Sequence, residues 1–545
     1  MKTDRGEFQM ALKGNLTRGL CSLFFLVLAL SLVSCKSDGI QTGQEAGSTA
    51  EGTGGEAISN IEANKTDSPL QSLTYYTFLN SNTAASLKNL SQHEAYKKKR
   101  EITGVDVEFI HPDNDHSLQL LMTSDELPDI IEAGWISLPG GPEKYIKDGK
   151  IISLNDYIDK YAPNFSKLLE DNPEYKKLIT TDDGNIYAFP FLRGDPSLLT
   201  FRGLAIRKDW LVNVQMDIPE TIDEWYAVLK AFKEQDPNKN GQADEIPLYI
   251  RWDDLGFLVA WGIKKDFYQV DGIVKYGLIE PEFKQYVATM KRWYAEGLID
   301  PDYIITDNRL RETKLTGDKL GAQYSYTIGK ENELMKGIHP TFEMIAAPNP
   351  VLNKGDVPIL GQQDPVYNGY GAAISASANH IAELVKWMDF NYSQQGGLLF
   401  NFGVEGESYT MVDGYPKIKD VFWKEPTSLD RYILSSSYGP FVQDKRWMEQ
   451  KSVQWKNGRD SLQTWMNAEN KRHLPRLSPS EKERSEFDTI ISDINLFASE
   501  MVDKFILGVE PMEHYDQFVN TLKNMGIERA IAIQQSAFNR YNSRQ

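Results

Sequence analysis

Apolar and polar positions recur in a repeating order from residue 70 onward. Residues 73–79 (Leu73 to Leu79) are rich in β-formers and predict a strand, 91–103 a helix, and 104–110 an alternating strand. Residues 117–124 then read as helix, and Leu127-Pro128-Asp129-Ile130-Ile131 as a short strand that opens into Trp135. Strand alternating with helix is the order of an α/β domain with a parallel sheet, whose ligands gather at the carboxyl ends of strands. A helix at 156–161 and a turn into a strand at 183–190 follow, and Arg193-Gly194-Asp195-Pro196 breaks the pattern where a crossover to another lobe would fall. A second α/β unit includes a helix at 282–296 and strands at 321–326 and 342–348. Residues 370–375 read as a second crossover, and a helix at 381–392 would return to the first lobe. The last third is mostly helical, ending in 515–541. The expected lobes are 70–195 with 375–470, and 196–374 with 471–545.

The stretch 207–250 carries the most specific local chemistry. Thr221 and Glu224 have capping-box spacing, and Ile222, Trp225, Leu229 and Phe232 place apolar groups on one helical face. Directly after that helix comes Asp236-Pro237-Asn238-Lys239-Asn240-Gly241-Gln242-Ala243-Asp244-Glu245. Oxygen donors at these intervals, with glycine at the tight turn, match the first half of an EF-hand loop. The second half departs from it: position twelve is Pro247, and Ile246 to Ile250 reads as a strand. Asp236, Asn238, Asn240, the Gln242 carbonyl, Asp244 and Glu245 are therefore candidate ligands of a structural calcium ion. The alternative is an acidic turn without metal.

At 545 residues the chain exceeds what one core supports. Its net charge of −18 argues against phosphate-based binding of nucleic acid. The basic run Lys97-Lys98-Lys99-Arg100 reads as a solvated helix face. Lys2, Arg5, Lys13 and Arg18 precede the apolar segment 20–33, an arrangement of signal-peptide type for residues 1–34. That segment ends in Leu32-Val33-Ser34-Cys35, which resembles a bacterial lipobox and makes Cys35 the candidate for acylation. Residues 35–69, rich in Gly, Ser, Thr and Glu, lack the apolar groups to fold and predict a flexible tether. With Cys21 in the signal segment and Cys35 lipidated, no thiol would remain for a disulfide or metal site.

Several motifs together resemble the extracellular solute-binding proteins of family 1, the sugar-binding lipoproteins of ABC importers. They are the sequence from Ile102 to Phe109 (ITGVDVEF), the 127–131 strand, and those from Asp148 to Asn164, Asp183 to Pro190, Ile206 to Leu211, Pro219 to Pro247, Tyr294 to Tyr303 and Met525 to Tyr541. The similarity is to the large branch that includes alginate-oligosaccharide binders and Lpl-type lipoproteins, in which the same helix–loop–strand carries calcium. The resemblance implies an α/β, two-lobed, periplasmic-binding-protein-like fold (type II) with hinge-joined lobes and a ligand cleft. It also implies a monomer anchored on the extracellular face of the cell membrane, which captures an oligosaccharide and passes it to ABC permease subunits.

Sugar clefts stack aromatic rings on C–H faces and bond hydroxyls with planar polar groups. The candidates at strand ends and crossovers are Trp135 and Glu405 in the first lobe, Phe189, Arg193 and Tyr370 near the hinge, and Trp252, Asp253 and Tyr324 in the second lobe. An exported glycan-active enzyme remains the competing class, because 77 acidic residues could hide a glycosidase carboxylate pair. Zinc-protease, nucleophile-elbow and phosphate-loop motifs are absent. The histidines lack ligand spacing except His111 and His116, which flank Pro112 and read as surface. A sensing lipoprotein of the same fold is a third possibility.

Overall fold

The computed structural model describes residues 70–112, 116–326, 328–435 and 438–544. The expected signal segment, Cys35 and the tether lie outside the described residues.

Two sheets, each with its own core, organise the chain. In the first, the order is Asp106–Ile110, Ser72–Tyr76, Ile130–Gly134, Tyr370–Ile374, Phe189–Pro190. The first three run parallel, with Ser72 opposite Asp106 and Tyr75 opposite Ile130. Helices Glu94–Thr103 and Ile381–Asp389 cover this sheet with Tyr96 and Trp387, which meet Phe109 and Tyr75 edge-on or tilted. Such contacts add geometric preference to the burial of large rings.

In the second sheet, the order is Met344–Ala346, Arg202–Arg207, Leu320–Tyr326, Ile246–Tyr249. The last two strands are parallel, while Arg202–Arg207 runs antiparallel to Leu320–Tyr326 with Arg202 opposite Tyr326. The capping box forms: Glu224 N donates to Thr221 Oγ1 at 3.1 Å, and Thr221 N to Glu224 Oε2 at 3.2 Å. Helix Ile222–Glu234 then buries Trp225, Leu229 and Phe232 against this sheet. Helix Pro281–Ala295 and the long helix Glu481–Ile506 pack on each other and close the second core.

Four expectations need correction. Residues 370–374 are not a crossover: they form a central strand of the first sheet, antiparallel to Ile130–Gly134 and to Phe189–Pro190. A run of Gly, Ala and Ile suits a strand covered on both faces, and its lack of alternation hid it. The lobe boundary expected at 374/375 therefore falls at the end of a first-lobe strand. Helix Gly458–Trp465, placed by sequence in the first lobe, packs on the second sheet, where Trp465 Nε1 donates to the Leu204 carbonyl at 3.0 Å. Lys99 is not solvated. It is 1% exposed, with Nζ 3.0 Å over the Trp387 ring and donating to Asn391 Oδ1 at 2.7 Å. His111 is half-buried and tethers two segments, with Nδ1 bonded to the Thr77 carbonyl at 2.8 Å and Nε2 accepting from Leu90 N at 3.1 Å.

Candidate ligand cleft and calcium loop

The carboxyl ends of the parallel strands place the site. In the first lobe they lead into Thr77, His111 and Trp135, and Phe189–Pro190 leads to Phe191 and Arg193. In the second lobe Ile246–Tyr249 leads into Arg251-Trp252-Asp253-Asp254, and Leu320–Tyr326 ends at Tyr326 beside Arg202. A crevice of 720 Å³ lies beside the segments that cross between the lobes. It is lined by crossover residues (Leu199, Asp364, His473) together with Tyr438 from the first lobe and Lys264 and Phe267 from the second.

The expected site residues divide. Arg193 is buried and held by Asp364 at 3.1 Å and by the Pro365 carbonyl at 3.3 Å, so it pins the base of the crevice. Tyr370 faces Tyr438 at 5.4 Å between ring centres, and Tyr438 in turn meets Phe191 at 5.5 Å. Tyr324 is half-buried, and its hydroxyl is held above the usual range by burial and then by Asp254, with Asp364 also contributing. Asp253 accepts from Arg251 Nε at 3.2 Å.

None of the eight lines the crevice itself; Arg193 and Tyr370 reach its lining through Asp364 and Tyr438, and the other four lie away from it. Trp135 is fully buried, its Nε1 donating to the Gly371 carbonyl at 3.0 Å. Phe189 is enclosed by Phe165 and Tyr392. Trp252 packs edge-on to Phe283. Glu405 lies at a separate hollow with Lys98 and Gln394. A place near a strand end puts a residue close to the edge, but not its side chain into a cleft.

Sequence reasoning missed Tyr438, which lines the crevice and is 45% exposed; Tyr326, 52% exposed, stands with Arg202 at the edge of the second sheet. The Arg202 guanidinium sits 4.4 Å over the Tyr326 ring. Burial pushes the Asp254 carboxyl up to about 6, against the pull of Arg251 and Arg202. The signal for Arg202 was its place at the start of a strand directly after a crossover.

Beneath the first-lobe edge, Glu132 is a buried carboxyl. Tyr75 Oη donates to it at 2.5 Å, and burial raises it to about 7. Burial likewise lowers His473 to about 4, so its ring is neutral; its Nε2 lies 3.0 Å from the Gly361 carbonyl.

The loop 236–245 joins helix Ile222–Glu234 to strand Ile246–Tyr249. Asp236 turns it by accepting from Asn240 N and Gly241 N, both at 3.0 Å, and Asn240 Oδ1 accepts from Gln242 N at 2.7 Å. Gly241 takes φ +73, the left-handed conformation that favours glycine. Asn238 donates to the Asp318 carbonyl, while Asp244 accepts from Asn240 and pairs with Lys319 at 3.0 Å. Among the described residues, no three His, Cys, Asp or Glu side chains are drawn together closely enough to hold an ion. Yet Glu245 Oε1 is buried with no hydrogen-bond partner among them, and burial, then Asp236 and Asp244, raises its carboxyl. An orphaned carboxylate oxygen beside two more carboxylates fits a hard cation and is costly without one.

Residues 81–397, more than half of the chain, match the family described as bacterial extracellular solute-binding protein, and the chain belongs to that family. It is similar to the fructooligosaccharide ABC transporter substrate-binding protein FusA of Streptococcus pneumoniae, with 27% identity over 518 residues, covering 87% of this chain and 92% of FusA. Lipoprotein LipO of Bacillus subtilis is 27% identical over 361 residues, covering 61% of this chain and 66% of LipO. Among solved structures, the alginate-binding protein AlgQ2 without calcium ion superposes with a TM-score of 0.68 at 25% identity, covering 87% of this chain and 99% of that one. The fold is thus the two-lobed fold of solute-binding proteins.

Proposed function

We propose that this protein captures an oligosaccharide in the crevice between its lobes and delivers it to an ABC importer. The carrying observation is the crevice itself. It has 720 Å³ beside the crossovers and is lined from both lobes, within the range of about 300–1,000 Å³ usual for small-molecule sites. Tyr438 offers an exposed ring face there, beside the hydrogen-bonding groups of Asp364, Asn368, Asn470 and Arg476. FusA, by its name a fructooligosaccharide-binding protein, and AlgQ2, an alginate-binding protein, support a carbohydrate ligand. Lipidation of Cys35 would hold the protein on the outer face of the membrane, as the relation to a lipoprotein supports. A structural calcium in the 236–245 loop would neutralise Asp236, Asp244 and Glu245 and brace the second lobe, with no part in ligand chemistry.

The test is calorimetric titration of residues 36–545, with calcium, against kestose, maltotriose and trigalacturonate, together with chromatography of the recovered sugar. Saturable binding with the sugar intact is expected. Cleavage would establish an exported glycan-active enzyme instead, and no binding to any of the three would remove the carbohydrate reading. Metabolic labelling with palmitate should mark the full chain and spare its Cys35→Ala variant.

A further inference from the structure

The second lobe ends on the first. Helix Ile527–Ser543 belongs to the second lobe, where Ile527 and Ala530 enter its core and the helix packs along Glu481–Ile506. Its last turn reaches the turn 180–186 of the first lobe, whose core holds Ile179 and Ile186. There Asp182 takes one arginine on each carboxylate oxygen. Arg540 Nε donates to Oδ2 at 2.6 Å, and Arg544 Nη2 and Nε donate to Oδ1 at 2.6 and 3.0 Å. Main-chain contacts flank the pair: Lys177 Nζ donates to the Asn542 carbonyl at 3.1 Å, and Arg544 Nη1 to the Lys177 carbonyl at 3.4 Å.

Each side of this contact is held firmly by its own lobe. The turn bearing Asp182 is closed by Thr181 N on the Asn185 carbonyl, and Glu143 on helix Gly141–Lys147 accepts from Thr181 Oγ1 at 2.7 Å and from Asn185 Nδ2 at 3.1 Å. On the other side, Arg540 also pairs at 3.3 Å with Glu483, which caps helix Glu481–Ile506. From the same helix start, the buried Arg484 crosses to the first lobe and donates to the Ile136 and Leu138 carbonyls at 2.6 and 3.3 Å.

Between these fastenings the lobes do not interlock. They leave a cavity of 120 Å³ walled by Ile136, Glu143 and Leu178 from the first and Ser478, Ser480 and Arg544 from the second. Leu178 and Arg476 line both this cavity and the crevice, so the two adjoin. A few charged contacts, with no shared apolar core, therefore join the lobes here.

We propose that Asp182, Arg540 and Arg544 form a latch, separate from the segments that cross between the lobes, which confines the movement of one lobe on the other to a single axis. The crossing segments meet at the base of the crevice, where Arg193 holds Asp364. A rotation that keeps both that base and the latch intact has its axis through the two, whereas splaying or twisting of the lobes breaks the latch. A carboxylate shared by two guanidinium groups makes charge-assisted bonds, and partial burial spares it much of the screening that weakens surface pairs. Two lobes with one axis of freedom also have less to lose when a ligand draws them together.

The experiment measures the distance between the lobes with no ligand present. Residues 36–545 contain no cysteine, so Gln119→Cys in the first lobe and Arg309→Cys in the second, both exposed, each take a spin label. Dipolar electron spin resonance compares this labelled parent with Asp182→Asn, Arg540→Gln/Arg544→Gln and Arg529→Gln, with melting temperature as the check on folding. Arg529 pairs with Glu486 at 2.8 Å on the same two helices but within the second lobe, so its loss touches the helix pair alone. Expected is a narrow distribution in the parent and in Arg529→Gln. In Asp182→Asn and in the double arginine variant alike, the population at other, broader distances should rise about tenfold. Combining Asp182→Asn with the arginine substitutions should add nothing, since the contact has already gone. A distribution in Asp182→Asn that superimposes on the parent, or equal broadening in Arg529→Gln, would overturn the latch. If Asp182→Asn does not fold, the double arginine variant decides by the same two outcomes. No ligand enters the measurement, so its result stands whether or not the sugar-binding reading does.

Discussion

Glu132 should make the first lobe lose stability as the solution becomes more alkaline. It lies on the strand Ile130–Gly134, 3% exposed, among Tyr75, Tyr96, Tyr370 and Tyr392, and no Lys or Arg among the described residues pairs with it. Burial raises its carboxyl from 4.5 to about 7, opposed by hydrogen bonds from Tyr75, Tyr370 and Thr77. Between those two values the folded protein keeps a proton that the unfolded chain has released. Stability therefore falls as pH climbs through that window and levels off above it, by about 3 kcal/mol in all. Glu132→Gln keeps an acceptor for the Tyr75 hydroxyl and cannot ionise. The assay is urea unfolding of wild type and variant at pH 5, 6, 7 and 8, with hydrogen exchange at 130–134 reporting the first lobe. The variant should lack the decline and exceed wild type at pH 8. Other raised carboxyls, Asp389 and Asp503 among them, are common to both proteins and cancel in the difference. Parallel pH curves for the two proteins would refute the assignment of a protonated, buried Glu132.

Lys99→Met removes a buried ammonium whose proton affinity burial lowers well below normal. The folded state binds that proton less tightly than the unfolded one, so wild-type stability should rise with pH towards 10, and the variant should lose this rise and be at least as stable at pH 7 by urea midpoint. Gly203→Ala drives a Cβ into the Trp465 indole, whose Nε1 bonds the Leu204 carbonyl, and should cost about 2–4 kcal/mol in the same assay. Chelation should lower the melting temperature of calcium-loaded protein, by the equivalent of about 4 kcal/mol for an ion present at a thousand times its Kd. Glu245→Ala should shrink that response, and a melt indifferent to chelator in wild type would remove the ion.

Local order and fold class were legible because period, caps and turn residues act within a few positions of one another. The capping box at Thr221, the helix it starts and the strand after the acidic loop all stand where their spacing put them. The family-bearing stretches are of this kind too, since they are runs of helix starts, turns and strand ends. The strand at 370–374 was misread because a small-residue run buried on both faces has no alternation to betray it. Lys99 was misread because a lysine stem can follow a helix inward when a neighbouring helix supplies Trp387 and an amide for its head.

By itself, then, the sequence determined the alternating α/β layout, the turn between helix and strand at 236–245 and the class of protein, all consequences of contacts short in the chain. Which edge residues meet was decided only by the tertiary structure. Arg202 and Tyr326 are 124 positions apart, and Tyr370 and Tyr438 are 68 apart, and each pair is joined by sheet order and crossover geometry. On the strands the pleat settled the rest, turning Phe189 into the core and leaving Tyr326 in the open, because successive side chains on a strand point to opposite faces whatever their chemistry.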